Sequence, residues 1–232
     1  MPPAARRLLV SACLLLLSIT PVRAQTLESV LSQMDTAAAA FRSLTAHIRS
    51  VKHTAIVNDD TVDEGTIRVK RVKPGVSHML IEFTVPDKYF VSVSEKKAQV
   101  YRPKIATLEE YDVTRFRDLK EQLWLLSFGA AGRDLASHYR MSLKGPETVA
   151  AGPAVKLELI PKSAQLLERV PRIEMWVSSS SWQPVQQKIY DVTPGDFRTS
   201  TYTEIKLNAA IPDSLLQIRT APGTRRVQPQ KQ

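Results

Sequence analysis

The sequence predicts a mainly β protein. It reads as one antiparallel sheet of about eleven strands, curled into a barrel or part of one, with a helix ahead of it and a helical insert midway. Three observations carry this. From residue 43 onward, apolar residues recur with a period of two in short runs, as on strands with one dry face. Turn formers separate the runs at short intervals: "NDD" at 58–60, "KPG" at 73–75, "PD" at 86–87, "SEKK" at 94–97, "RP" at 102–103 and "TPGD" at 193–196. Helical spacing is confined to two segments, 27–41 and 114–139.

In the first of these, Leu27, Val30, Leu31, Met34, Ala38 and Phe41 recur at steps of three and four, the stripe of an amphipathic helix ending near Phe41. A long strand over 43–57 follows. Further strands are expected near 62–71, 77–84, 88–93, 97–102 and 105–112. The insert "TRFRDLKEQLWLLSFGAAGRDLASHY" then places Phe116, Leu119, Leu123 and Leu126 on one helical stripe, and a shorter helix runs to about Ser137 after Gly129 and Gly132. Strands resume near 138–143, 154–160, 170–177, 183–191 and 196–207. Hairpin-connected strands at this spacing point to an antiparallel sheet with no dividing linker and no repeat. One domain over 25–220 is expected, with a mobile, basic, proline-rich tail at 221–232.

The chain begins as a secretory leader. Arg6 and Arg7 precede the apolar run Leu8–Ile19, and the small Ala24 closes "VRA". The run is shorter than the roughly 20 residues that span a bilayer, so cleavage after Ala24 is expected rather than anchoring. "VSAC" at 10–13 resembles a lipoprotein processing box, but Cys13 lies inside the apolar run instead of after it. Since Cys13 is the single cysteine, residues 25–232 hold no disulfide and no thiol nucleophile. The formal charge of +9 includes three leader arginines, and the remaining cations are scattered rather than clustered with aromatics. This is a solvated surface, not a nucleic-acid footprint.

Catalytic motifs are missing: there is no G-x-S-x-G elbow, no P-loop and no G-x-G-x-x-G. His47 and His53 share a strand face but lie about 20 Å apart at ~3.3 Å per residue, too far for one metal. Glu109 and Glu110 are adjacent and so face opposite ways. A binding protein without metal or cofactor is expected, not an enzyme.

Three alternating triplets argue for binding: Met79, Ile81 and Phe83; Val155, Leu157 and Leu159; Ile173, Met175 and Val177. One face of a wide sheet is continuously apolar and needs a cover. Helices can fill it as an ordinary core, or sit loosely and leave a cavity for lipid chains, and sequence alone leaves both open. In "EGTIRVKRVKPG" the same alternation contains a misfit. Ile67, Val69 and Arg71 share a face, with Arg68 and Lys70 on the wet side. Either Arg71 reaches out to water past the strand end, or its guanidinium is hydrogen-bonded within the dry face, where an unpaired charge is costly.

Over nearly its whole length after the leader the chain resembles the LolA family of periplasmic lipoprotein carriers. The likeness is carried by "LESVLSQMDTAAAAFRSLTAHI", "GTIRVKR", "QVYRPKIATLEEYDV", "LLSFG…DLASHY", "VKLELIPK", "RIEMWVSSSSWQPVQQKIYD" and "TYTEIKLNAAIPDSLLQI" in this order. The resemblance implies an incomplete eleven-stranded barrel, opened on one side and covered by helices, with a cavity for acyl chains. Ile67, Val69, Met79, Ile81, Phe83, Leu123, Leu157, Leu159, Ile173 and Met175 are the candidate wall. It further implies a monomer that takes lipoprotein from an inner-membrane ABC transporter and passes it to an outer-membrane acceptor. Arg71 takes the place of an arginine that latches the helical lid through backbone carbonyls. Two departures stand out: Val72 replaces the proline usual after that arginine, and Glu95, Lys96 and Lys97 replace an Asp-Gly-Lys turn. LolA-like folds also serve as carriers or sensors of other lipids.

Overall fold

The computed structural model describes residues 25–116, 126 and 128–229. The expected leader and Leu123 therefore lie outside the described residues. Thr26 opens α1 (Leu27–Ala40): its hydroxyl accepts from the Ser29 amide, and the Ser29 side chain closes a capping box. The helix stops at Phe41, which is extended, and β1 (Ser43–Thr54) begins two residues later. A 3-10 turn at Ala55–Val57 with Asn58 in the left-handed region turns the chain into β2 (Asp59–Lys73). Hairpins then continue through β3 (Val76–Val85), β4 (Tyr89–Val93), β5 (Lys97–Arg102) and β6 (Thr107–Asp112). Beyond the insert come α2 (Gly132–His138), β7 (Tyr139–Val149), β8 (Gly152–Pro161), the single turn α3 (Ala164–Leu167), β9 (Ile173–Ser178), β10 (Pro184–Tyr190) and β11 (Phe197–Leu207).

All these strands join one sheet, ordered β6-β5-β4-β3-β2-β1-β11-β10-β9-β8-β7, with antiparallel neighbours throughout. Pairing of β1 with β11 brings the two halves together, and the sheet does not close. The fold is thus the expected mainly β, incomplete barrel with helices over its inner face. β7 runs past its expected end near residue 143, because a bulge at Leu143/Gly145 lets the hairpin continue to Val149.

The C-terminal segment runs from residue 208 through the last part of the expected domain and into the tail at 221–232. After β11 it crosses the outer face: Ile211, Leu216 and Ile218 pack on Leu80 and Phe90. Lys70 Nζ donates to the Ile211 carbonyl at 3.0 Å and to Asp213 at 2.6 Å. The Ala221 amide donates to the Tyr101 hydroxyl, and Arg225–Val227 form β12, parallel to β6 at the sheet edge. The segment therefore shields the apolar side chains Leu80 and Phe90 on the outer face. Lys70, read as solvated, is its clamp.

Candidate functional site

The inner face is fixed by register. Across β1, β2 and β3 the matched residues are Leu44, Val69 and Met79, then Ala46, Ile67 and Ile81. Gly65 stands beside Phe83, and Arg71 beside Ser77. The candidate wall residues thus divide between two clusters. Leu157, Leu159, Ile173 and Met175 are buried under Val30 and Met34 of α1, Leu135 of α2 and Leu166 of α3. There the helices fill the sheet face as an ordinary core. Ile67, Val69 and Phe83 join Phe41, Ala46, Ile48, Phe128 and Tyr202 in the second cluster, where Met79, Ile81, Tyr89 and Val91 are only partly buried. Burial holds the Tyr202 phenol up at about 12, against a smaller opposing hydrogen bond from Ser200.

Arg71 sits where the two clusters meet the end of the cover. Its Nη1 donates to the Ala38 carbonyl in the last turn of α1, and its Nη2 to the Gly129 carbonyl where the chain leaves the insert, both at 2.8 Å. The guanidinium lies 5.4 Å from the Phe41 ring centre. Of the two readings open for this residue, the structure takes the hydrogen-bonded one. The Ala38 carbonyl already accepts the Phe41 amide at 3.2 Å, so the guanidinium adds a second donor at a helix end that carries negative partial charge. No basic residue lies in the last turn of α1 itself, so the cation comes from the sheet. Ser77 of β3 and Pro74 and Gly75 of the turn before it, with Asp35, Ala38, Gly129, Arg133 and Asp134 of the cover, line a cleft of about 410 Å³ around this contact.

Further polar groups, which sequence reasoning missed, hold the same segment. The Gly129 amide donates to Gln183 Oε1 at 2.8 Å, Gln187 Nε2 donates to the Leu126 carbonyl, and the Arg133 amide donates to Asp35 at 3.1 Å. Gln187 shares its strand face with Ile189 and is buried opposite Met175. The parity misfit that singled out Arg71 could have found it. Asn208, at φ 58°, caps the other side of α1: its Nδ2 donates to Ala40 O and its Oδ1 accepts from the Arg42 amide. Asparagine tolerates this backbone region better than most residues. Gly129 has φ +76°, and a Cβ there would lie 2.4 Å from Phe41 Cδ1, so the contact admits no side chain.

No protein-family model and no curated protein matches the chain. Solved structures do. An uncharacterized conserved protein from Thermus thermophilus overlays with a TM-score of 0.54 at 14% identity, covering 88% of this chain and 99% of its own. MucB overlays with a TM-score of 0.54 at 17% identity over 87% of this chain, which spans 64% of MucB's length. A LolA superfamily protein from Nitrosomonas europaea overlays more loosely, with a TM-score of 0.42 at 14% identity over 84% of this chain and 99% of its own. The architecture, an open antiparallel barrel with helices over its inner face, is shared with the Thermus protein and with MucB. At these identities the likeness is one of fold alone.

Proposed function

We propose that this chain is a non-catalytic periplasmic carrier, exported by the cleaved leader, that shields lipoprotein acyl chains and delivers them from the inner to the outer membrane. The observation that supports it most is the uneven construction of the inner face. One half is packed solid by α1, α2 and α3, while the other leaves Met79, Ile81 and Val91 partly open beneath a cover held by Arg71. Hydrogen bonds to two carbonyls can be exchanged for water at modest net cost, so such a cover can lift where a packed one cannot. The wall would be Ile67, Val69, Met79, Ile81 and Phe83. An inner-membrane ABC transporter and an outer-membrane acceptor would be its partners. Crosslinking in the periplasm tests this: mature lipoproteins should be trapped, and recovery of free phospholipid or glycolipid alone would sink the lipoprotein reading.

That outcome would favour the second reading, a carrier or sensor of other lipids. Among proteins that share the fold, MucB of Pseudomonas aeruginosa is known in a MucA/MucB complex, so a protein partner has a precedent on this architecture. A mass spectrum of lipid bound to the natively purified protein separates the two.

A further inference from the structure

At the end of the inner face opposite Arg71, the register places two cations side by side. Lys52 on β1 is paired with Arg198 on β11. Both continue the inner column, through Ser50 and Ile48 on one strand and Ser200 and Tyr202 on the other. Like charges directly across a strand pair are destabilising, and among the described residues neither cation has an ion pair. Both residues are exposed, so the repulsion is tolerated in water, but nothing in the fold requires it.

The surroundings point inward. Burial and the hydrogen-bonded Asp63 carboxylate hold the Tyr89 phenol up at about 12, while Arg198 and Arg102 act in the opposite direction. Arg198 of β11 and Arg102 of β5 thus both reach the field of Tyr89 on β4, although they stand on opposite sides of β2. The acids near these cations are engaged: Asp63, directly across from Ser50, by Tyr89; Asp60 by His53 at 2.8 Å; Asp196 by the Ala55 amide at 2.8 Å; and Glu109 by Arg102 at 2.8 Å and by the Tyr111 hydroxyl. Ser50, 3% exposed and next in the column, has no hydrogen-bond partner for its side chain among the described residues.

We infer that Lys52 and Arg198, with the Ser50 hydroxyl beneath them, form a site for the anionic phosphate headgroup of a lipid whose acyl chains lie along the inner face. Arginine and lysine are the usual phosphate donors, and a hydroxyl adds a neutral one. The geometry fits the length of a lipid. From Lys52 to Leu44 is eight residues, or about 26 Å of strand, whereas one leaflet of hydrocarbon is roughly 15 Å deep. A chain anchored at this mouth runs to about the level of Ile48, Phe83 and Tyr89 and ends short of Ile81, Val91 and the Arg71 contact. The inference rests on the second reading above, a carrier of other lipids, and names its cargo, because the diacylglyceryl group of a lipoprotein carries no phosphate.

The test compares dioctanoyl phosphatidylglycerol with uncharged dioctanoylglycerol, titrated into the leaderless chain and read by tryptophan fluorescence, with inorganic phosphate as a third probe. The wild type should prefer the anionic lipid by about tenfold or more, the scale of hydrogen bonds to a charged group. In Lys52→Ala/Arg198→Ala the ratio should fall towards one, and Arg198→Lys should recover part of it. General damage to the fold would weaken both lipids together and leave the ratio standing. Equal affinities in the wild type, or an unchanged ratio in the double variant, would overturn the headgroup site. Phosphate binding by itself as tightly as the lipid would make this a free-anion site and overturn the lipid assignment. If neither lipid binds, the carrier reading falls and the headgroup site falls with it.

Discussion

Arg71 contributes to the cover through two charge-assisted hydrogen bonds, each worth about 1.5–3 kcal/mol in favourable cases and less where water has access. Arg71→Leu should keep the fold but destabilise it by about 2 kcal/mol, because the Ala38 and Gly129 carbonyls lose a partner on the protected side. Loading or release of cargo should change with it; transfer at the wild-type rate would end the latch idea. Arg71→Lys should recover only part of the effect, since one ammonium on a flexible stem does not replace a planar fork aimed at two acceptors. Arg71 was legible in the sequence because a charge in an apolar column violates a period of two. Asn208, which bridges Ala40 and Arg42 from 168 residues away in the case of Ala40, carries no such local sign.

At the scale of elements, alternation located β1 to β11 within a few residues, apart from the end of β7, because each has one face on the core and turn residues at its ends. It failed where a strand has two dry faces. Leu80, Tyr101 and Leu108 lie on the outer face and are buried, so their apolar character reports the C-terminal segment rather than the barrel interior. β12 escaped notice because three residues, Arg225–Val227, are too few to show a period. Leu216→Ala should cost about 2–3 kcal/mol in a urea titration, against little for the exposed neighbour Leu215→Ala. Equal effects would mean that the segment does not pack in solution. Its clamp also titrates. The hydrogen bond from Lys70 holds Asp213 below its ordinary 3.8. A carboxyl depressed in the folded state adds stability above its unfolded pKa and loses it as pH falls through the folded value. Acid should therefore loosen this segment, and Lys70→Met should remove that part of the pH dependence. Between the helices the limit is steric. Gly132→Ala would gain helix propensity of about 1 kcal/mol, yet its Cβ would lie 2.5 Å from the Leu31 carbonyl of α1. Net destabilisation in thermal melts is expected, and a stabilised variant would show that α1 and α2 have room to part.

For the whole molecule, the question sequence left open was whether helices fill the sheet face or merely cover it. The structure answers differently for the two halves, and the difference has a dynamic consequence. Over β8 and β9 the cover can leave only by exposing Val30, Leu135, Leu157, Leu159, Ile173 and Met175, all fully buried. Over β2 to β4 the segment at 128–131 is held by Phe128, by Arg71 and by the Gln183 contact, above side chains already partly open. Local opening should therefore begin at 128–131 and the last turn of α1, with a free energy well below that of global unfolding. Native-state hydrogen exchange reads this amide by amide. The Gly129 amide, whose partner is a single glutamine side chain, should exchange early, and those of β8 and β9 only with the whole sheet. Arg71→Leu should accelerate the first group by about tenfold for each ~1.4 kcal/mol removed and leave the second on the scale of global stability. Dioctanoyl phosphatidylglycerol should raise protection around Lys52, Arg198 and Tyr89 and leave the amides of β8 and β9 unchanged. Exchange that is uniform across cover and sheet would mean that the cover is core throughout, and that lipid would have to enter by another route.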